Sequence, residues 1–343
     1  MERRRHGRQG GPLVRRRLRC AVIGLGWAGG VHCRVLRELD GVDLVAVADT
    51  DAALRASYDG IPAVPGIEDL LAHDLDYCVI ATPTTTHERL GLALADAGIH
   101  ALIEKPLADS LPAALRLTTA FDSAGLIASV GHTERRNSAI TDVATRLAHG
   151  EFGDIYQVST HRQGPFPDRI KDVGVIQDLA IHDVDLTAFL TGRPVVQVTA
   201  HALHVSGSEH EDLATAVCRL QGDLPAIHHV NRISPLKERL TLVHTARGCV
   251  VADALAFTVT VHTNGTPPSL DGFPGVTIGP TTSWHTPRRE PFVLEHQAMR
   301  DAVLGLPADI VTLRQGAAAV GVTEATLASA RTGRLTPVTP HVC

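Results

Sequence analysis

Lysine is nearly absent from this 343-residue chain. Of its 32 basic residues only Lys105, Lys171 and Lys237 are lysine. The bias towards arginine reads as a high-GC coding habit, and it makes a lysine at a chemically meaningful place more informative than usual. The six cysteines, at 20, 33, 78, 218, 249 and 343, include no CxxC spacing. Cys20, Cys33, Cys78 and Cys218 lie inside apolar or helical runs and read as small buried hydrophobes of a reducing compartment. No transmembrane span is present. The arginines before Cys20 imitate a secretory or twin-arginine signal, but the apolar run that follows is broken by glycines and gives way to polar helix. We expect a cytoplasmic protein with no membrane partner. No internal repeat occurs, and 44% hydrophobic with 20% charged residues excludes disorder and collagen-like chains. The length fits two domains with a sizeable core.

Charge is unevenly spread. The formal net charge is −5, yet residues 1–19 hold eight arginines and one acid, Glu2, so the remainder carries −12. An acidic body repels phosphate backbones, which excludes nucleic acid as a partner outside the arginine-rich tail.

From residue 18 to about 131 short apolar runs (20–23, 44–48, 77–81, 101–103, 127–130) alternate with helical stretches (29–39, 51–58, 86–97, 111–123). Strands too apolar for one wet face, joined by helical crossovers, predict a parallel, doubly wound α/β sheet. After Asn137 the pattern changes. Helices are predicted at 138–149, around 178–190, at 291–304 and at 313–332, with β-rich alternation over 195–262, which makes an α+β second domain. The Pro/Gly-crowded segment 264–289 predicts a long loop. The expected division is a flexible basic tail at 1–18, a dinucleotide-binding domain at 19–136 and a substrate domain at 137–343.

Three constellations carry chemistry. The first, Cys20-Ala-Val-Ile-Gly24-Leu-Gly26-Trp27-Ala28-Gly29, sets GxGxxG between a strand and a helix. Gly24 allows the tight turn, Gly26 the approach of a pyrophosphate and Gly29 close helix–strand packing, with the helix N-terminus facing the anion. Asp49, ending the next strand, suits ribose hydroxyls. No arginine adjoins it to meet a 2′-phosphate, so NAD is expected rather than NADP. The second places Ala81-Thr82-Pro83-Thr-Thr-Thr-His87 and Ile103-Glu104-Lys105-Pro106 at the carboxyl ends of parallel strands, where ligands bind in such sheets. A snorkelling rim lysine is the plain alternative for Lys105.

The third is Asp178, His182 and Asp185, which a helix puts on one face. Three readings fit it. It is a solvated acidic face, a metal site of two carboxylates and an imidazole, or the base of an alcohol oxidation. In the last case a neutral imidazole takes the hydroxyl proton while a nearby lysine stabilises the developing alkoxide.

Together the GxGxxG opening, Glu104-Lys105-Pro106, Gly131-His-Thr-Glu-Arg135-Arg-Asn137 and Asp178-xxx-His182-Asp183 resemble the glucose–fructose oxidoreductase, inositol dehydrogenase and rhizopine-catabolism (Gfo/Idh/MocA) family. The resemblance implies a Rossmann domain and an α+β domain with a mainly antiparallel open sheet that builds a homo-oligomer, a dimer or tetramer. It implies NAD(P)-dependent chemistry on a sugar or cyclitol hydroxyl, with Lys105, Asp178 and His182 catalytic. Trp27 and Ala28 fall in the cofactor turn, and Thr82, Pro83, His87 and Glu104 beside the nicotinamide. Arg135 and Asn137 fall at substrate-binding positions, and no metal is implied. The segments around 164–175 and 233–239 resemble the branch that oxidises carbon 3 of UDP-N-acetylglucosamine or its uronic acid, so Arg162, Arg169 and Lys237 are expected at a substrate phosphate or carboxylate; for any one of them a surface ion pair is the alternative. Ala254-Leu-Ala256-Phe257, after Asp253, departs from that branch, as Ser138 does from the family's usual proline.

The function so implied is oxidation of a secondary hydroxyl of a nucleotide-activated sugar, ahead of transamination. An antibiotic sugar such as the GDP-linked octose of lincosamides, an inositol and a non-enzymatic NAD-binding regulator are the alternatives.

Overall fold

Strands with no polar face need cover on both sides, and the first third of the chain supplies it. The computed structural model describes residues 16–166, 173–265 and 276–339. β1 (Leu18–Ile23), β2 (Val42–Ala48), β3 (Ala63–Val64), β4 (Tyr77–Ile80), β5 (His100–Glu104) and β6 (Ala128–Gly131) form a parallel sheet in the order β3-β2-β1-β4-β5-β6. The crossovers are α1 (Trp27–Glu38), α2 (Ala52–Arg55), α3 (Ile67–Leu70), α4 (His87–Asp96) and α5 (Leu111–Ala124). All four residues of β4 are buried.

The helix expected over 51–58 is a single turn, started by the Asp51 carboxylate accepting from the Ala53 N–H at 2.8 Å. β3 and α3 were not foreseen, since two and four residues are too short to show a period. Arg16 and Arg17 lead into the central strand β1 and Arg19 lies within it: Arg16 pairs with Asp76 and Arg17 with Asp43, each at 2.7 Å, and the Arg19 guanidinium donates to the Asp74 carbonyl.

The second sheet has nine strands: β7 (Ile155–Gln163), β8 (Val195–Leu203), β9 (Leu213–Leu220), β10 (Pro225–Asn231), β11 (Glu238–Thr245), β12 (Gly248–Asp253), β13 (Thr258–Gly265), β14 (Thr277–His285) and β15 (Thr336–Pro337). Their order is β14-β13-β12-β11-β7-β10-β9-β8-β15, antiparallel except for β7 beside β10. β9 alternates buried and wet residues along its length, so one face meets helices and the other stays open.

The long loop expected over 264–289 is corrected in its described parts: β13 runs to Gly265, and β14 pairs with it, Thr260 opposite Ser283, while residues 266–275 lie outside the described residues. β14 is an exposed edge strand, with Ile278 fully exposed and Pro280 within it. A strand with no buried face shows no hydrophobic period, and proline is tolerated only at an edge.

α6 (Ser138–Ala148), a π-helical turn (Ile176–Ala180) running into α7 (Ile181–Thr191), α8 (Pro291–Val303) and α9 (Leu313–Thr332) follow, with short 3-10 turns at Thr84–Thr86 and Thr133–Arg136. The last two return to the first sheet. Met299 is fully buried among Leu18, Cys20 and Val22, and the Val130 N–H donates to the Val311 carbonyl at 2.9 Å. The two sheets are thereby tied into one structure with a cleft between them. Cys20, Cys33, Cys78 and Cys218 are buried and unpaired, as their apolar surroundings imply. No helix among the described residues is long and apolar enough to cross a membrane.

Candidate functional site

The turn after β1 is shaped by close approach. Gly24 takes φ +91°, and a Cβ there would fall 2.5 Å from the Ala81 carbonyl oxygen; one at Gly29 would fall 1.8 Å from the Gly24 oxygen. A Cβ at Gly26 would meet nothing within 4 Å. The turn is thus packed shut on two sides and open on the third, in front of α1, whose first turn has no acid and no side-chain cap. A positive helix end facing open space is a site for an anion. Asp49, at the end of β2, accepts from the Leu25 N–H at 2.7 Å and the Asp51 N–H at 2.8 Å. Those bonds fix its carboxylate beside the turn, where ribose hydroxyls would donate to it. The Arg55 Nη1 is taken up by the Asp49 and Thr50 carbonyl oxygens, at 2.7 and 3.0 Å. The residues present fit a dinucleotide without a 2′-phosphate.

From this turn a cavity of about 500 Å³ runs into the cleft. Trp27, Ala28, Thr82, Glu104 and Lys105 line it from the first sheet, and Asn137, Arg162, Asp178, His182 and Lys237 from the second half of the chain. The Lys105 Nζ donates to the Asp178 carboxylate at 2.9 Å and to the Asp178 carbonyl at 3.2 Å. Both side chains keep contact with the cavity, at 18% and 15% exposure. Burial first, and then the charges of Lys105 and Arg162, push His182 well below the usual imidazole range, so its ring is neutral at pH 7. Its Nδ1 is buried with no hydrogen-bond partner among the described residues. A neutral imidazole, a lysine ammonium and an open volume now share one wall.

Arg162 reaches the cavity from β7 but is already committed, to Asp183 and Glu134 at 2.9 Å each. Burial opposes its charge, yet those two carboxylates outweigh it and hold the guanidinium protonated. Asn137 caps α6 by accepting from the Ala139 N–H and donates to the Ala254 carbonyl. Lys237 is free of such ties among the described residues.

Several expected site residues stand elsewhere. Arg135 does not line this cavity: it is 7% exposed and forms a two-pronged pair with Asp185 at 2.6 and 2.7 Å. Asp185 therefore leaves the face it was expected to share, and Asp178, His182 and Asp185 do not converge on one ion. Leu179 lines the cavity beside Asp178 and His182. His87 is buried, its Nδ1 2.9 Å from the Pro106 carbonyl oxygen and its Nε2 2.9 Å from that of Thr82; burial keeps the ring neutral, so its single N–H donates to one of the two, and it packs between the ends of β4 and β5 instead of facing a ligand. Pro83 does not line the cavity; its carbonyl accepts the Thr86 N–H. Arg169 lies outside the described residues.

Arg239, Glu134 and Phe292 were missed. Arg239 and Glu134 sat inside the segments that carried the resemblance and needed only an alternation count along β11 or a partner for Arg162 to be noticed. Phe292, on a helix about 190 residues from Lys105 in the chain, gave no local signal.

The sequence matches two family models: an oxidoreductase family with NAD-binding Rossmann fold, GFO_IDH_MocA, over residues 18–132, and the GFO/IDH/MocA C-terminal domain over residues 140–251. It is 31% identical over 265 residues to a UDP-N-acetylglucosamine 3-dehydrogenase of Acidithiobacillus ferrooxidans, covering 76% of this chain and 81% of that one. It is 32% identical over 228 residues to the myo-inositol dehydrogenase Hyg17 of Streptomyces leeuwenhoekii, covering 63% and 70%. Among solved structures, GenD2 from gentamicin A biosynthesis, crystallised with NAD, superposes with a TM-score of 0.81 at 26% identity over 97% of this chain and 99% of that one. A dinucleotide turn that leaves room for NAD, a sheet order of 3-2-1-4-5-6 and an open mixed sheet thus meet in one chain with matching sequence over both halves, and the chain belongs to the Gfo/Idh/MocA family of NAD-binding oxidoreductases.

Proposed function

We propose that the chain oxidises a secondary hydroxyl of a nucleotide-activated sugar, in the manner of a UDP-N-acetylglucosamine 3-dehydrogenase. The observation that carries this reading is that Lys105, Asp178 and His182 line one cavity together with the cations of Lys237 and Arg239. A sugar hydroxyl must lose a proton as its carbon loses hydride. Lys105 donates a hydrogen bond to the hydroxyl oxygen and stabilises the charge that develops there. His182, kept neutral by burial, accepts the proton. Asp178 fixes the Lys105 ammonium and keeps it from swinging into the anion site. Bound NAD supplies the two-electron acceptor for the hydride. Lys237 and Arg239 are the groups placed to meet a sugar-linked phosphate in an otherwise acidic protein. The ketosugar product is the substrate class of an aminotransferase.

The experiment is a panel of UDP-, GDP- and dTDP-sugars and free inositols, each added with NAD while nicotinamide absorbance is followed. UDP-N-acetylglucosamine or its uronic acid is expected to reduce NAD at least tenfold faster than any inositol. Faster turnover of an inositol replaces this reading with the second one, a cyclitol substrate, which the 32% identity to an inositol dehydrogenase supports. The open face of the nine-stranded sheet, with Tyr156 and Val217 exposed on it, is the surface expected to join subunits, which light scattering of the purified protein checks.

A further inference from the structure

Three carboxylates line the cavity, and two are neutralised there: Asp178 by Lys105 and Glu134 by Arg162. Glu104 differs. Its Oε2 accepts the backbone N–H of Lys105 at 3.0 Å, and its Oε1 lies 3.1 Å from Nε2 of His32. Among the described residues no lysine or arginine forms an ion pair with it. Burial works against its charge, but the hydrogen bond from His32 and the Lys105 charge hold its carboxyl below the usual range.

His32 is fully buried on α1, and its Nδ1 lies 2.8 Å from Nε2 of His296, fully buried on α8. An ionised carboxylate only accepts, so Nε2 of His32 is the donor to Glu104. The contact between the two imidazoles then holds a single proton, and His296 locks the orientation of His32. Phe292, one turn earlier on α8, stands edge-on to His32 with centroids 5.1 Å apart and closes the outer side. Glu295, next to His296, is buried with Oε2 unpartnered. Burial and then the Glu104 charge push its carboxyl well up, so it stays neutral and Glu104 remains the anion of the group.

The sheet order says what that anion faces. Asp49 ends β2 on one side of β1, and Glu104 ends β5 on the other. With the ribose at Asp49 and the pyrophosphate at Gly26, the nicotinamide half of the cofactor falls over the ends of β4 and β5. That ring is cationic in NAD+ and neutral in NADH, so a fixed anion there distinguishes the two forms while every phosphate and ribose contact treats them alike.

We propose that His32 and His296 are positioning residues that hold Glu104 as a buried anion at the nicotinamide end of the cavity, and that this anion makes the protein prefer NAD+ to NADH. The second half of the chain, through His296, thereby helps set the redox preference of a cofactor bound mainly by the first. A form that binds NAD+ well and lets NADH go suits oxidation with product release.

The test needs no sugar, so it is independent of the substrate proposed above. Dissociation constants for NAD+ and NADH are measured by calorimetry on the purified full-length protein. Glu104→Gln is expected to shift the NAD+/NADH affinity ratio roughly tenfold towards NADH. His32→Leu and His296→Leu are expected to shift it the same way by about threefold or more, and His32→Gln, which keeps an N–H near the old Nε2, to recover most of the loss. Thermal melting shows which variants are folded, and His296→Gln serves where a leucine does not fold. A purely structural role for the pair changes both affinities by one factor; that result, or an unchanged ratio in Glu104→Gln, overturns the proposal. Wild-type protein that binds neither nucleotide overturns the cofactor assignment and this proposal with it.

Discussion

Asp178 and Asp185 stand seven residues apart on one helical segment, and each holds a cation from another part of the chain. The Asp178 carboxylate meets Lys105 through one oxygen, at 2.9 Å, and the Asp178 carbonyl accepts from the same ammonium at 3.2 Å, with both side chains still reached by solvent. Asp185 meets Arg135 at two points, 2.6 and 2.7 Å, with exposures of 2% and 7%. The difference is one of chemistry as much as of depth. A guanidinium fork matches a carboxylate in two bonds and is sealed by them, whereas an ammonium that spends two of its three donors on Asp178 keeps one for a third party. One pair is built to be finished and the other to be completed by a ligand.

Breaking each pair separates the two roles. Lys105→Ala is expected to lower turnover about 10²–10⁴-fold while NAD binding and melting temperature stay close to wild type; turnover within tenfold of wild type removes Lys105 from the chemistry. Arg135→Ala leaves the Asp185 carboxylate buried and unpaired and is expected to cost about 3–5 kcal/mol of stability. Urea unfolding measures this, and a loss below about 1 kcal/mol shows that water reaches Asp185 and that the pair is not sealed. The two variants should thus fail in different assays.

Spacing along a helix says which residues share a face, and this is why Asp178 and His182 were legible from the sequence as partners. It does not say which neighbour packs on that face. The π-helical turn at Ile176–Ala180 changes the angle per residue, and Asp185 swings to Arg135 while Leu179 enters the cavity. The parallel sheet was readable because strands buried on both faces leave continuous apolar runs such as Tyr77–Ile80. β14 was not, having no buried face to write a period. His87 looked like a ligand because histidine chemistry is visible in a sequence, and the backbone oxygens that enclose it are not. Lys105 and the glycine turn were legible for the opposite reason, since both owe their positions to strand ends that local pattern marks.

The same contrast between finished and unfinished groups extends to the histidines. His182 faces the cavity, while His228 is buried in β10, with Nδ1 on the Thr160 hydroxyl and Nε2 unpartnered. Burial lowers His228 from 6.5 to about 4. The folded state therefore keeps it neutral where the unfolded chain takes up a proton, so stability is full above about pH 6.5 and falls as the pH drops towards 4. A depression of that size is worth roughly 3 kcal/mol. His228→Gln is expected to flatten that stretch of the stability curve measured by urea unfolding between pH 4 and 7; an unchanged slope assigns the acid sensitivity to other groups.

Asp49 supplies the third kind of aspartate, held by two backbone N–H groups and, among the described residues, by no ion pair with lysine or arginine. Its charge is left for the ligand: it accepts from ribose hydroxyls and repels a 2′-phosphate. Asp49→Asn keeps one oxygen acceptor and removes the charge, so it is expected to weaken NAD by about tenfold or less and to improve NADP by a similar factor. Parallel titrations with the two nucleotides check it. If NADP affinity stays unchanged while NAD weakens, Asp49 acts only as a hydrogen-bond acceptor, and the discrimination against phosphate must come from the walls of the turn instead.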